Sequence, residues 1–95
     1  MTIYALSTGS GIAGVAIIRV SGPEASNVIK SLTNKEVPKP RIATLRKINY
    51  INTSELIDEG IIIWFPGPES YTGEDMAEIQ VHGSKAVILA LQNEI

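Results

Sequence analysis

Three features of this 95-residue chain could take part in chemistry: a glycine-rich loop, a single histidine, and two charged residues inside apolar strands. The loop, Gly9-x-Gly11-x-x-Gly14, has the spacing of a dinucleotide-binding fingerprint, in which the last glycine opens a helix that receives a pyrophosphate. Residues 15–20 are β-branched and apolar, which favours a strand at that point instead. The loop is therefore either a dinucleotide site or a flexible connection between strands, and the pattern favours the connection.

His82 is the only histidine, and the chain has no cysteine. A metal site at His82 would need carboxylates alone beside it, so a structural role is favoured. The absence of cysteine excludes a disulfide framework, a zinc-thiolate site and a cysteine nucleophile within this sequence. There is no G-x-x-x-x-G-K-[ST] phosphate cradle, and no spacing indicates a catalytic triad. The residues alone indicate no catalytic centre.

Arg19 and Glu78 are the two charged residues that interrupt apolar strands. A guanidinium in a buried strand must find an anion or another acceptor, unless it lies near a strand end and reaches solvent. Glu78 alternates with Gln80 and His82 on one face of its strand, which is either an ordinary solvated row or a ligand-facing row. A buried carboxylate accepts two parallel N–H bonds and so suits the edge of a pterin or a guanine.

The elements that must position these residues follow from hydrophobic periodicity and turn signals. Ser21 and Glu24 have the spacing of a capping box before a helix that Thr33-Asn34 ends. Gly83-Ser84 leads into a second helix that is apolar almost all round, from which we expect the natural protein to continue beyond Ile95. The pattern predicts one α+β domain over residues 1–95, with two helices on a mixed or antiparallel sheet of about five strands. The expected strands lie at 3–8, 15–20, 41–50, 61–65 (central and covered on both faces) and 74–82.

Composition narrows the class of protein. The net charge of −2 argues against binding nucleic acid by electrostatics alone. Basic residues cluster at 30–47 and acidic residues at 55–78, which indicates either two solvated faces or a bipolar surface for docking. No apolar run approaches a membrane span, and no basic signal-peptide region precedes the first strand. We expect a small soluble domain in the cytoplasm.

Several segments, taken in order and spacing, resemble the N-terminal domain of tRNA modification GTPases of the MnmE/TrmE type. The resemblance covers essentially the whole chain, and the segments are specific in combination rather than singly. They are VAIIRVSGP at 15–23, Asp58-Glu-Gly60, Trp64-Phe-Pro-Gly-Pro68, Tyr71-Thr-Gly-Glu-Asp75 and Glu78-Ile-Gln-Val-His-Gly83.

This resemblance implies a folate-binding and homodimerising domain, similar to the folate domains of aminomethyltransferases. The ligand would be a one-carbon tetrahydrofolate, usually 5-formyltetrahydrofolate, with Arg19 and Glu78 at the family's folate-contacting positions. In such proteins a helical domain and a GTPase domain follow, and potassium and magnesium belong to the GTPase domain. With a flavin-dependent partner of the GidA/MnmG type, the complete protein modifies C5 of the wobble uridine of certain tRNAs.

The chain also departs from the family's pattern. Residues 10–14, Ser-Gly-Ile-Ala-Gly, lack the loop arginine of the usual Pro-x-Gly-Arg-Gly-Gly, and Gly83-Ser84 replaces a Gly-Gly pair. A further folate-contacting lysine, the P-loop and the C-terminal cysteine motif of the family are expected past residue 95, so this piece should neither hydrolyse GTP nor modify tRNA by itself. Two alternatives stay open: a dimerisation and docking scaffold without folate, and an enzyme in its own right, either a nucleotide-binding oxidoreductase or a folate-dependent methyltransferase.

Overall fold

The structure, a computed structural model, describes residues 2–6, 14–70 and 72–95, and this part of the chain forms five strands and two helices. Their order along the chain is strand, strand, helix, three strands, helix, as the sequence predicts. Within the described residues, no helix is long and apolar enough to cross a membrane. The elements are β1 (Ile3–Leu6), β2 (Val15–Ser21), α1 (Ala25–Thr33), β3 (Thr44–Asn49), β4 (Leu56–Phe65), β5 (Met76–His82) and α2 (Lys85–Glu94).

All five strands join one sheet in the order β1-β2-β5-β4-β3, and every neighbouring pair is antiparallel. The predicted α+β class is therefore confirmed, and the strand pairing is antiparallel rather than mixed. β5 lies at the centre of the sheet and pairs with β2 on one side and β4 on the other. This places the row that begins at Glu78 in the middle of the sheet.

The core lies between one face of the sheet and the two helices. Alternation along β5 directs Ala77, Ile79 and Val81 into it, as the sequence predicts, and each of them is buried. The two helices contribute their apolar stripes to the same cluster. The opposite face of the sheet, which we call the open face, has no helix packed on it among the described residues. The buried hydrophobic cluster is Ala16, Ile18, Val20, Ala25, Ile29, Leu32, Ile48, Ile62, Trp64, Ala77, Ile79, Val81 and Leu91.

The start of α1 differs from the predicted capping box. Ser21 is the last residue of β2, and its hydroxyl lies 2.7 Å from the Thr72 hydroxyl instead of capping the helix. Glu24 occupies the N-cap position without a side-chain cap bond, and its N–H donates to Thr2 Oγ1. The capping-box prediction was wrong because the strand continues through Ser21, so its hydroxyl faces the β4–β5 connection. The predicted end of α1 is confirmed, with Asn34 in the left-handed conformation.

β4 also differs from its prediction. It begins at Leu56 rather than at Ile61, although it is an interior strand as predicted, with β5 on one side and β3 on the other. Ile62 and Trp64 are buried against the helices, whereas Ile61 and Ile63 are only half-buried on the open face. The prediction of cover on both faces was wrong within the described structure, since a continuous apolar run does not by itself distinguish two covered faces from one.

A candidate ligand site on the open face

The centre of the open face carries a compact group of six residues, which we call the open-face patch. The antiparallel register arranges these six residues in two rows that run across β2, β5 and β4. Directly opposed residues on one face of such a sheet have their Cβ atoms about 4.5–5.5 Å apart, so each row forms a continuous contact. The first row is Arg19, Glu78 and Ile63, and the second row is Ile17, Gln80 and Ile61.

Glu78 is the buried charge of this patch, with 8% of the residue exposed. Its carboxylate accepts a bond from Arg19 Nε to Oε2 at 3.3 Å and a bond from Gln80 Nε2 to Oε1 at 3.0 Å. A carboxylate removed from water is costly unless it is paired and hydrogen-bonded, and here both conditions hold. The two charged residues singled out in the sequence are therefore cross-strand partners.

These bonds leave the carboxylate with capacity for a ligand. An ionised carboxylate offers about four lone-pair sites on its two oxygens, and the two contacts from Arg19 and Gln80 occupy about half of them. The Arg19 side chain is 41% exposed, so its guanidinium lies at the surface of the open face rather than beneath it. Glu78 can therefore accept hydrogen bonds from an incoming donor edge without first losing its protein partners.

Apolar side chains flank this polar centre. Ile17, Ile61 and Ile63 are half-buried, and Val15 and Leu45 extend the same face with 50% and 57% of each residue exposed. A flat ring lying over the sheet would contact these methyl groups while its edge met the carboxylate. Small-molecule sites commonly combine an apolar lining with a few polar groups in this way.

A second polar contact lies at the far end of the β5 row. His82 Nδ1 is 2.9 Å from both Asp58 oxygens, and the His82 backbone N–H donates to the same carboxylate at 2.8 Å. The contact links β4 to the end of β5 just before Ser84 caps α2. Among the described residues no group of three or more potential ligands could hold a metal ion. The Asp58–His82 pair has the geometry of a structural contact.

We expect the Asp58–His82 contact to make stability pH-dependent. Burial raises the pKa of Asp58, but the bonds from the His82 N–H and ring outweigh that effect, and the pKa lies below its ordinary value of 3.8. A carboxyl pKa lowered by folding stabilises the protein above its unfolded-state pKa, and this stabilisation is lost as the pH falls through the folded-state pKa. Asp58→Asn should cost about 1 kcal/mol of unfolding free energy at about pH 5, and this gap should narrow at a second, more acidic pH below the folded-state pKa of Asp58.

Urea unfolding of both proteins at the two pH values measures this gap. Glu55→Gln, which removes an exposed carboxylate, serves as the matched control and should leave the pH dependence unchanged. An Asp58→Asn gap of the same size at both pH values would contradict the assignment.

The connection between β4 and β5 closes one end of the patch. Its Asp75 carboxylate accepts the Gly67 N–H at 2.9 Å, and the Asp75 carbonyl accepts the Gly22 N–H at 2.9 Å. Together with the Ser21–Thr72 hydroxyl contact, these bonds fix the connection to the end of β2, next to Arg19. The motif segments at 64–68 and 71–75 therefore support the first row of the patch, while Tyr71 itself lies outside the described residues.

The sequence identified Arg19 and Glu78 separately but missed their contact, the bond from Gln80 to Glu78, and the role of Asp58. Opposed charges stabilise neighbouring antiparallel strands, but that signal could be used only once β2 was known to pair with β5. Gly14 is followed by β2 and not by a helix, as predicted, so the helix required by a dinucleotide fingerprint is missing at that point. Residues 9–13 of that loop lie outside the described residues.

The fold and the patch together define an α+β domain in which one sheet face is packed by helices and the other presents a paired carboxylate. Residues 2–95 match the family described as the N-terminus of the GTP-binding protein TrmE. The chain belongs to that family, as its motifs predict.

Curated relatives agree with this assignment. The chain is 74% identical over 95 residues to the tRNA modification GTPase MnmE of Pelagibacter ubique (strain HTCC1062), a match that covers 100% of this chain and 21% of the relative. It is 54% identical over 94 residues to MnmE of Rhizobium meliloti (strain 1021), a match that covers 99% of this chain and 21% of the relative. It is 52% identical over 87 residues to the mitochondrial 5-taurinomethyluridine-[tRNA] synthase subunit GTPB3 of Danio rerio, a match that covers 92% of this chain and 17% of the relative. The chain thus spans about a fifth of the length of these relatives.

Proposed function

We propose that the open-face patch binds a one-carbon tetrahydrofolate, with 5-formyltetrahydrofolate as the form to test first. One observation carries the proposal: the Glu78 carboxylate is buried at the centre of the open face, held by Arg19 and Gln80, and retains capacity for further donors. Family membership supports it, because Arg19 and Glu78 occupy the positions at which the resemblance implies folate contacts.

The residues of the patch fit the chemistry of this ligand. A pterin has neighbouring amide and amine N–H groups on one edge, and a carboxylate accepts such a pair in parallel. Glu78 would hold that edge, while the half-exposed Arg19 guanidinium would donate to a carbonyl, formyl or carboxylate oxygen. Ile17, Ile61 and Ile63 would contact the ring and exclude water from the paired edge. When bound, the folate would supply a one-carbon unit.

The proposal places this chain in a larger protein. Its relatives are named as tRNA modification GTPases, and the chain matches their N-terminal fifth. Residues 1–95 would then be the folate-binding part of a cytoplasmic tRNA modification GTPase that works with a flavin-dependent subunit on C5 of the wobble uridine. GTP hydrolysis, with its potassium and magnesium, and contact with tRNA would be functions of the remainder of that protein.

Calorimetric titration tests the folate proposal, with guanosine as the competing ligand because guanine offers a similar amide and amine edge. We expect saturable binding of 5-formyltetrahydrofolate by the chain and much weaker binding of guanosine, which has fewer groups for Arg19 and the isoleucines. If guanosine binds and 5-formyltetrahydrofolate does not, the patch would be a nucleoside site instead of a folate site. Binding of neither ligand, by the chain or by the protein extended past residue 95, would favour the docking-scaffold alternative.

Self-association is the second part of the proposal. Self-association would use the rim of the open face outside the six-residue patch, where Val15 and Leu45 are 50% and 57% exposed, so that a second copy buries the rim and leaves the Glu78 carboxylate to the ligand. We expect sedimentation equilibrium to give a mass that rises toward the dimer with protein concentration. Leu45→Lys should shift the mass toward the monomer, whereas Leu89→Lys, on exposed α2, should not. A strict monomer at high concentration would count against this part.

A further inference from the structure

Gln80 is the polar residue of the open-face patch that the family resemblance does not place in contact with folate. It lies on β5 two residues after Glu78, so both side chains emerge on the same face. Its Nε2 atom lies 3.0 Å from Glu78 Oε1, while Arg19 Nε approaches the other oxygen at 3.3 Å. The carboxylate is therefore held from two directions, once along its own strand and once across the sheet.

The chemistry of the contact fixes the orientation of the Gln80 amide. An ionised carboxylate only accepts hydrogen bonds, so the NH₂ group must face Glu78 and the amide oxygen must point away from it. Gln80 is itself positioned, since it lies between Ile17 and Ile61 in the second row and is half-buried there. A neutral donor in this place holds the carboxylate without adding a charge that would compete with Arg19.

An unanchored glutamate side chain has several accessible rotamers, and selecting one of them on ligand binding costs affinity. The bond from Arg19 Nε reaches Oε2 and not Oε1 of Glu78, so by itself it lets the carboxylate plane turn about that contact. The second bond from Gln80 removes this freedom. The edge that Glu78 presents to a ligand is then set before the ligand arrives.

We propose that Gln80 is the positioning residue of the site: its amide fixes the plane of the Glu78 carboxylate so that two parallel acceptor positions face the ligand. This inference rests on the proposed folate function. It predicts that Gln80 acts through Glu78, so its removal should weaken binding and loosen the Arg19–Glu78 contact together, without unfolding the domain.

The test compares Gln80→Leu, which keeps the bulk but loses the donor, with the matched change Gln92→Leu on α2. Calorimetry with 5-formyltetrahydrofolate should show about five- to tenfold weaker binding for Gln80→Leu and no change for Gln92→Leu. In the ligand-free proteins, NMR should show faster water exchange of the Arg19 Nε–H proton only in Gln80→Leu. A residue that merely filled space between the two isoleucines would leave that exchange rate unchanged.

A second variant tests the need for a donor. Gln80→Glu places two carboxylates side by side, so it should bind folate more weakly than Gln80→Leu at about pH 7.5. Folate binding by Gln80→Glu that equals or exceeds that of Gln80→Leu would show that the site needs no donor at residue 80.

The outcomes separate this inference from the proposed function. If the wild-type chain binds folate and Gln80→Leu binds it equally well, the positioning role is wrong while the folate site stands. If neither the chain nor the protein extended past residue 95 binds folate, the site assignment is wrong and the role of Gln80 in it is overturned as well. An unchanged Arg19 Nε–H exchange rate in Gln80→Leu overturns the inference whatever the folate result.

Discussion

Replacing Glu78 by glutamine is expected to weaken 5-formyltetrahydrofolate binding by about thirty- to a hundredfold, because a charged, two-point hydrogen bond is worth about 2–3 kcal/mol. The substitution keeps the shape of the side chain but removes the charge, and it turns one acceptor oxygen into a donor. That donor would face the N–H groups of the ligand and the Arg19 guanidinium alike. Calorimetric titration of the variant beside the wild-type chain measures the loss.

Glu55→Gln is the matched control, since it removes one negative charge from an exposed position outside the patch. It should bind folate as the wild-type chain does, and circular dichroism should show both variants folded. Equal affinity of Glu78→Gln and the wild-type chain would show that Glu78 does not hold the ligand. An equal loss of folate affinity in both variants would show that the effect comes from the change in net charge and not from the position of Glu78.

Gly60→Ala should be the most destabilising single-methyl change in the sheet, at about 3 kcal/mol of unfolding free energy. A Cβ at residue 60 would lie 2.2 Å from the Gln80 carbonyl oxygen and 3.2 Å from a Val81 methyl group. A backbone oxygen cannot rotate away as a side chain can, so β4 and β5 must separate locally. Because the strain falls on Gln80, folate binding should weaken in the same variant.

Gly14→Ala provides the control, because a Cβ at that glycine meets no atom of the described structure within 4 Å. Urea unfolding should show it within about 0.5 kcal/mol of the wild-type protein. A Gly60→Ala variant as stable as Gly14→Ala would mean that β4 and β5 are not packed as closely at this point as the structure shows.

Much of the fold could be predicted because local patterns dominate it. The alternation of β5 assigned Ala77, Ile79 and Val81 to the core, and Asn34 marked the end of α1. The prediction failed where one residue could serve either of two structural roles. Ser21 could cap a helix or end a strand, and a partner 51 residues away, Thr72, decided between them. No local pattern contains that information.

The site could be predicted residue by residue but not as an arrangement. A charge within an apolar strand indicates that Arg19 and Glu78 each need a partner. That they are partners of each other depends on the register of β2 against β5, across a separation of 59 residues. The contribution of Gln80 could not be predicted for a different reason. Polar residues commonly alternate along the solvent-facing side of a strand, so Gln80 gave no signal until the structure showed that Glu78 beside it is buried.

The central claim is that the open face, and not the helix-covered face, receives folate. The most direct measurement is a map of ¹H–¹⁵N chemical shift changes during titration with 5-formyltetrahydrofolate, including the side-chain signals of Arg19 and Gln80. We predict that the largest changes fall on those two side chains and on the amides of residues 17–19, 61–63 and 78–80. Saturable binding with changes centred on α1 or α2, and with the Arg19 and Gln80 signals unmoved, would contradict the account.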